Sequence, residues 1–137
     1  MKKVGIFGQS YKKIDRPYFE TLIQKLNAYS IEIVIDFDFL QILTDLGVEK
    51  LKYATFSGHQ DLDSSFDLLF TFGGDGTLLS AVTLVRDLNI PILGINTGRL
   101  GFLATVRKKE IENAIESLMA KEYTIQERAL LSIETKG

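Results

Sequence analysis

Phe70-Thr71-Phe72-Gly73-Gly74-Asp75-Gly76-Thr77-Leu78-Leu79 is the stretch whose reading decides the fold. An apolar strand runs into two glycines, and an amphipathic helix begins at once. A strand that stops in glycines at a helix start is suited to receive phosphate. The first turn of a helix presents N–H groups that lack intrahelical acceptors, together with the positive end of the dipole. Asp75 is the odd residue, an anion standing where another anion would bind. That conflict points to chemistry rather than passive holding.

Working outward, strands and helices alternate. Lys3–Gly8 reads as a short buried strand. Asp15-Arg16-Pro17 reads as a helix start, since proline suits a first turn. That helix runs to about Tyr29, with Phe19, Leu22, Ile23 and Leu26 on one face. Ile31–Ile35 is β-branched and reads as the next strand. Phe39–Leu46 reads as a short helix closed by Gly47. Residues 49–66 read as a mobile connection containing a short strand at Tyr53–Phe56. Asp67–Phe72 is then a strand, and Thr77 to about Leu88 a helix turning Leu78, Ala81, Val82 and Val85 inward. Ile90–Ile95 is a buried strand, and Asn96–Leu103 a glycine-containing loop. Arg107–Lys121 reads as a helix with Ile111, Ala114, Ile115 and Leu118 inward, and Tyr123–Thr135 as one half-exposed strand.

This order predicts an α/β fold, a doubly wound, mostly parallel sheet with helices on both faces. Ligands in such sheets sit beyond the carboxyl ends of the strands. Three turns leave strands at that edge: Gly8-Gln9-Ser10, Gly73–Thr77 and Gly94-Ile95-Asn96-Thr97-Gly98. They are far apart in the chain and are expected to converge. A structural need for tight strand exits is the competing explanation of their glycines.

Composition narrows the function. The 137 residues suffice for one domain with a real core, and 45% hydrophobic with 25% charged residues is ordinary for a globular chain. A net charge of −2 gives no footprint for nucleic acid. Lys2-Lys3, Lys12-Lys13 and Arg107-Lys108-Lys109 are scattered and read as solvated surface. The absence of cysteine removes disulfides, thiolate metal sites and thiol catalysis, and fits a cytoplasmic location. No segment is long and apolar enough to span a membrane.

Neither G-x-x-x-x-G-K-[ST] nor G-x-G-x-x-G after the first strand is present, so the common phosphate-binding strings are excluded. Gly73, Gly74 and Gly76 let a ligand approach the backbone closely. Thr77 and Asp75 have capping as their structural role. Asp75 as a catalytic group accepts the proton of an attacking hydroxyl. An aspartate is a weak base at neutral pH, which suits phosphoryl transfer, where positioning and electrostatics dominate. A water-mediated contact to magnesium is the other chemical role open to it. Asn96 and Thr97 offer polar groups after a buried strand. Arg99 is a candidate phosphate partner and Phe102 a candidate to stack on a base, although core packing competes for Phe102. His59, the only histidine, reads as a solvated surface residue.

Gly73-Gly74-Asp75-Gly76-Thr77-Leu78-Leu79, followed by Pro91-Ile92-Leu93-Gly94-Ile95-Asn96-Thr97-Gly98-Arg99-Leu100-Gly101-Phe102-Leu103, resembles the NAD kinase family. The first string is shared in outline with diacylglycerol-type lipid kinases and 6-phosphofructokinases; the second is similar to the NAD kinase version. The resemblance is strong over residues 70–106 and loose elsewhere. It implies phosphoryl transfer from ATP, or in some members polyphosphate, to the adenosine-ribose 2′-hydroxyl of NAD, giving NADP. It also implies a divalent cation, usually magnesium, and a homodimer or homotetramer. Asp75 matches the family's catalytic proton acceptor, and Asp75 with Gly76 its NAD-contacting pair. Phe102 matches a residue lining the nucleotide pocket. Gly73, Gly74, Thr77 and Asn96 are carried over as nucleotide-binding candidates. No residue is assigned as a metal ligand.

The family's second, largely β domain carries an Asn-Asp or Asn-Glu pair and a Thr-x-x-Gly-Ser-Thr-Ala-Tyr-type segment, and neither string occurs here. Glu127-Arg128-Ala129-Leu130-Leu131 resembles that domain's opening strand. The expected division is therefore residues 1–123 as the α/β nucleotide-binding domain and 124–137 as the start of a truncated β domain. A chain of this extent is expected to be inactive alone. A lipid or sphingoid-base kinase domain and a non-catalytic nucleotide-binding module are the alternatives.

Overall fold

The computed structural model describes residues 1–48, 53–98, 105–126 and 130–133. β1 (Lys3–Gly8), β2 (Glu32–Asp36), β3 (Ala54–Phe56), β4 (Leu68–Gly73) and β5 (Ile92–Asn96) form a parallel sheet in the order β3-β2-β1-β4-β5. β6 (Val106–Arg107) pairs in parallel with the end of β5, and β8 (Leu130–Ile133) with its start. β7 (Tyr123–Gln126) is antiparallel to β8. The single strand expected over Tyr123–Thr135 is thus two strands folded on each other. Alternation of apolar and polar residues is blind to a reversal of direction.

Each central strand is apolar on both faces, and the two faces feed different cores. Ile33 and Ile35 of β2, with Leu68, Phe70 and Phe72 of β4, pack into one core with α1 (Arg16–Ala28), α2 (Phe37–Asp45) and α4 (Ile111–Met119). Val34 and Leu69 face the other core, closed by Leu78, Ala81 and Val85 of α3 (Asp75–Val85). This is the period-2 division of a sheet covered on both sides. Each large apolar side chain fully buried here contributes about 1.5–3 kcal/mol. The inward faces expected for α1 and α4 are the ones buried. Of the four expected on α3, Val82 is only partly buried.

The segment between β3 and β4 is packed rather than loose over residues 53–66; residues 49–52 lie outside the described residues. Phe56, Leu62 and Phe66 are buried and complete the second core. His59 corrects the surface assignment: its Nδ1 lies 2.8 Å from the Leu84 carbonyl oxygen and ties the segment to the end of α3. Polar residues dominate this stretch, so three isolated aromatic or aliphatic anchors gave no period to read. The helix expected from Arg107 also starts later. Val106 and Arg107 extend the sheet, residues 108–110 form a 3-10 turn, and α4 begins at Ile111.

Candidate functional site

The strand order turns between β1 and β4. β1 is followed by α1 on one face, and β4 by α3 on the other, so their carboxyl ends flank a crevice. Gly8 is in register with Phe72, and Gly73 with Asn96. The three glycine turns therefore leave neighbouring strands side by side, as the sequence led us to expect. Thr97 N–H donates to the Gly73 carbonyl at 3.2 Å, joining the turns after β4 and β5. Gln9 Nε2 donates to Ser80 Oγ at 3.1 Å, joining the turn after β1 to α3. Asn96 is buried, and its Oδ1 accepts the Gly98 N–H at 2.9 Å, which fixes the strand exit.

Within Gly73–Thr77 the glycines divide into two kinds. A Cβ on Gly73 would lie 2.5 Å from Thr77 Oγ1 and 3.0 Å from Thr77 Cβ. Gly73 is therefore required by the return of α3 onto its own entry turn. Among the described residues, a Cβ on Gly74 or Gly76 would meet no atom within 4 Å. Packing does not demand glycine at these two positions, and the space above them is open to a ligand. Gly8 belongs to the first kind, since its Cβ would lie 2.5 Å from the Phe39 ring.

The N-cap of α3 is Gly74, so neither Asp75 nor Thr77 occupies the capping position. The ladder opens with Leu78 N–H to the Gly74 carbonyl at 3.1 Å. Asp75 is the first residue of the helix and half-buried, with Oδ1 shielded from solvent. Thr77 is buried beneath the turn, its side chain against Gly73. Phe102, with Arg99, lies outside the described residues.

Sequence reasoning missed several groups at this edge. Asp36 caps α2, accepting the Phe39 N–H at 3.0 Å, and burial raises its pKa against the lowering effect of that bond. The signal was available, because an acid directly before an apolar run marks a helix start. The Tyr11 hydroxyl is buried and has no hydrogen-bond partner among the described residues, and burial pushes its pKa up to about 12. Its ring packs among Phe19, Phe39 and Phe72 at centroid distances of 6.1, 6.5 and 6.4 Å. Arg107-Lys108-Lys109, expected as dispersed surface, lines a cleft beside Asn96. β6 carries it there by pairing Arg107 with Asn96, and two residues of strand leave no sequence period to detect.

The family model for the ATP-NAD kinase N-terminal domain matches residues 4–123. The chain belongs to this family. It is 43% identical over 133 residues to a protein named NAD kinase from Christiangramia forsetii, covering 97% of this chain and 45% of that protein. It is 47% identical over 132 residues to an NAD kinase from Flavobacterium psychrophilum, covering 96% and 45%. The chain thus spans about half the length of the curated relatives it matches. Among solved structures, yeast NADH kinase complexed with NADH superposes with a TM-score of 0.69 at 23% identity, covering 88% of this chain and 36% of that one. An NAD kinase from Archaeoglobus fulgidus in complex with ATP gives 0.54 at 20% identity, covering 89% and 39%. Those two likenesses establish the shared α/β fold.

The divalent cation that the family implies finds no ligand set in these residues. Among the described residues no group of three or more histidines, aspartates or glutamates is arranged to hold a metal. Asp75 alone does not make such a site. Among the described residues, no helix is long and apolar enough to cross a membrane.

Proposed function

We propose that the product of the whole reading frame holding this sequence transfers the terminal phosphoryl group of ATP to the adenosine-ribose 2′-hydroxyl of NAD. A bond forms between the 2′-oxygen and the γ-phosphorus, the bridging β,γ bond breaks, and ADP leaves with NADP as the other product. The observation that carries the reading is Asp75 at the first position of α3, beside two glycines with open space above them.

Asp75 orients the 2′-hydroxyl and accepts its proton as the phosphorus–oxygen bond forms. Gly74 and Gly76 allow the ligand to approach the backbone. The first-turn N–H groups of Gly76 and Thr77 face developing negative charge with the helix dipole behind them. Gly73 and the Thr77 side chain hold the turn in shape. Asn96 fixes the neighbouring exit, and Phe102 lines the nucleotide pocket. Support comes from membership of the ATP-NAD kinase family and from relatives named NAD kinase.

The reading includes a cytoplasmic enzyme that assembles as a homodimer or homotetramer, with residues 124–137 opening a second, β-rich domain. Residues 1–137 alone then form no NADP. The test incubates the purified reading-frame product with ATP and either NAD or diacylglycerol. NADP formation, read by an NADP-specific dehydrogenase, is expected with NAD. Phosphatidate formation without NADP would instead establish the lipid kinase alternative.

A further inference from the structure

Beside the turn after β5 lies a cleft of about 250 Å³ lined by Asn96, Gly98, Arg107, Lys108 and Lys109. Three cations in consecutive positions share one small space. Lys108 is committed elsewhere: its Nζ lies 2.7 Å from Oδ1 of the buried Asp15 and 5.0 Å from the Tyr18 ring centroid. Among the described residues neither Arg107 nor Lys109 enters a salt bridge, and both are exposed. Among the described residues, then, two positive charges of the cleft have no carboxylate partner. Its floor is polar, because Asn96 is buried there and Gly98 exits over it.

We propose that this cleft binds a phosphate chain, two or more linked phosphoryl groups of a nucleotide. Size and charge both select that class. The volume lies below the ~300–1,000 Å³ typical of sites that enclose a whole small molecule. A phosphate chain fits such a space and leaves its nucleoside outside. Arginine pairs with phosphate oxygens bidentately, and lysine serves as a point charge. The hydrogen bond from Thr97 to Gly73 places the cleft one turn from the glycine-aspartate string, so a chain seated here reaches toward Asp75. Only the identity of the natural source, ATP or the diphosphate bridge of NAD, rests on the function proposed above.

The test is titration calorimetry of the 137-residue protein with inorganic tripolyphosphate at low salt. Arg107→Gln/Lys109→Gln is expected to weaken binding by about tenfold or more, since a hydrogen bond to a charged group contributes roughly a factor of ten. Lys2→Gln/Lys25→Gln makes the same change in net charge at the opposite edge, where β1 begins and α1 ends, and is expected to stay within about twofold. Binding is also expected to weaken as salt rises. Displacement of tripolyphosphate by ATP but not NAD assigns the cleft to the donor, and the reverse assigns it to the dinucleotide. No binding, an unchanged affinity in the cleft variant, or an equal loss in the control variant overturns the proposal. If the double variant melts early by circular dichroism, Lys109→Gln alone carries the test with a smaller drop. NADP formation by the reading-frame product is a separate readout, so either idea can fail without the other.

Discussion

Alanine at Gly73 is expected to destabilise the fold, whereas alanine at Gly74 or Gly76 is not. The added methyl at Gly73 meets Thr77 Oγ1 at 2.5 Å and Thr77 Cβ at 3.0 Å. Rotation of Thr77 relieves the first contact but not the second, because Cβ lies on the helix backbone side of that rotation. α3 must shift, and overpacking of this kind costs about 1–3 kcal/mol. In a domain of this size that lowers the melting temperature by roughly 3–10 °C. At Gly74 and Gly76 the methyl enters open space. The loss of a glycine N-cap and the gain in helix propensity are each at most about 1 kcal/mol, so both variants stay close to the parent. Thermal and urea unfolding of the three variants gives the comparison. Thr77→Ala removes the nearer of the two clashing atoms and should recover part of the Gly73→Ala loss, with a coupling of about 0.5 kcal/mol or more. A neutral Gly73→Ala, or a double variant whose effects simply add, would refute the division of these glycines into structural and open positions.

Three further outcomes follow from Asp36, Asp67 and Tyr11. Burial raises the pKa of Asp36, so its share of stability is complete below the ordinary carboxylate range and is lost as pH rises through the raised value. Asp36→Asn keeps an oxygen for the Phe39 N–H and should therefore gain stability over the parent at pH 7 but not at pH 4, as read by urea unfolding. Asp67 behaves oppositely: the Lys2 N–H, with that of Lys3, holds its pKa below the ordinary value, so Asp67→Asn should lose stability at pH 7 and converge with the parent in strong acid. Tyr11→Phe removes a buried hydroxyl that has no partner among the described residues and should raise stability by about 1 kcal/mol; a loss of that size would mean that the hydroxyl is held by a bound water.

The parallel sheet was legible because β1, β2, β4 and β5 are apolar on both faces and each is followed by a helical period or a glycine turn. The convergence of Gly8, Gly73 and Asn96 followed from that topology without any knowledge of contacts. What stayed hidden was set by tertiary packing. Phe56, Leu62 and Phe66 sit at irregular spacing in polar sequence, and only the face left bare beside α3 explains their burial. The reversal between β7 and β8 left no mark on the alternation. The basic run at Arg107 reached the site edge through a two-residue strand, too short to register as a pattern. At the site itself, the string Gly73–Thr77 was readable as a phosphate turn. Its division into a braced glycine and two open ones needed the path of Thr77.

Asp75→Asn in the reading-frame product tests the central claim most directly. The amide keeps the size of the side chain and its hydrogen-bonding oxygen but no longer takes a proton. A positioned general base contributes about 10²–10⁴-fold, equivalent to roughly 3–5 kcal/mol of barrier. Turnover of NAD to NADP is expected to fall by that factor, with NAD affinity and melting temperature near those of the parent. Unchanged turnover in a folded Asp75→Asn variant would contradict the account.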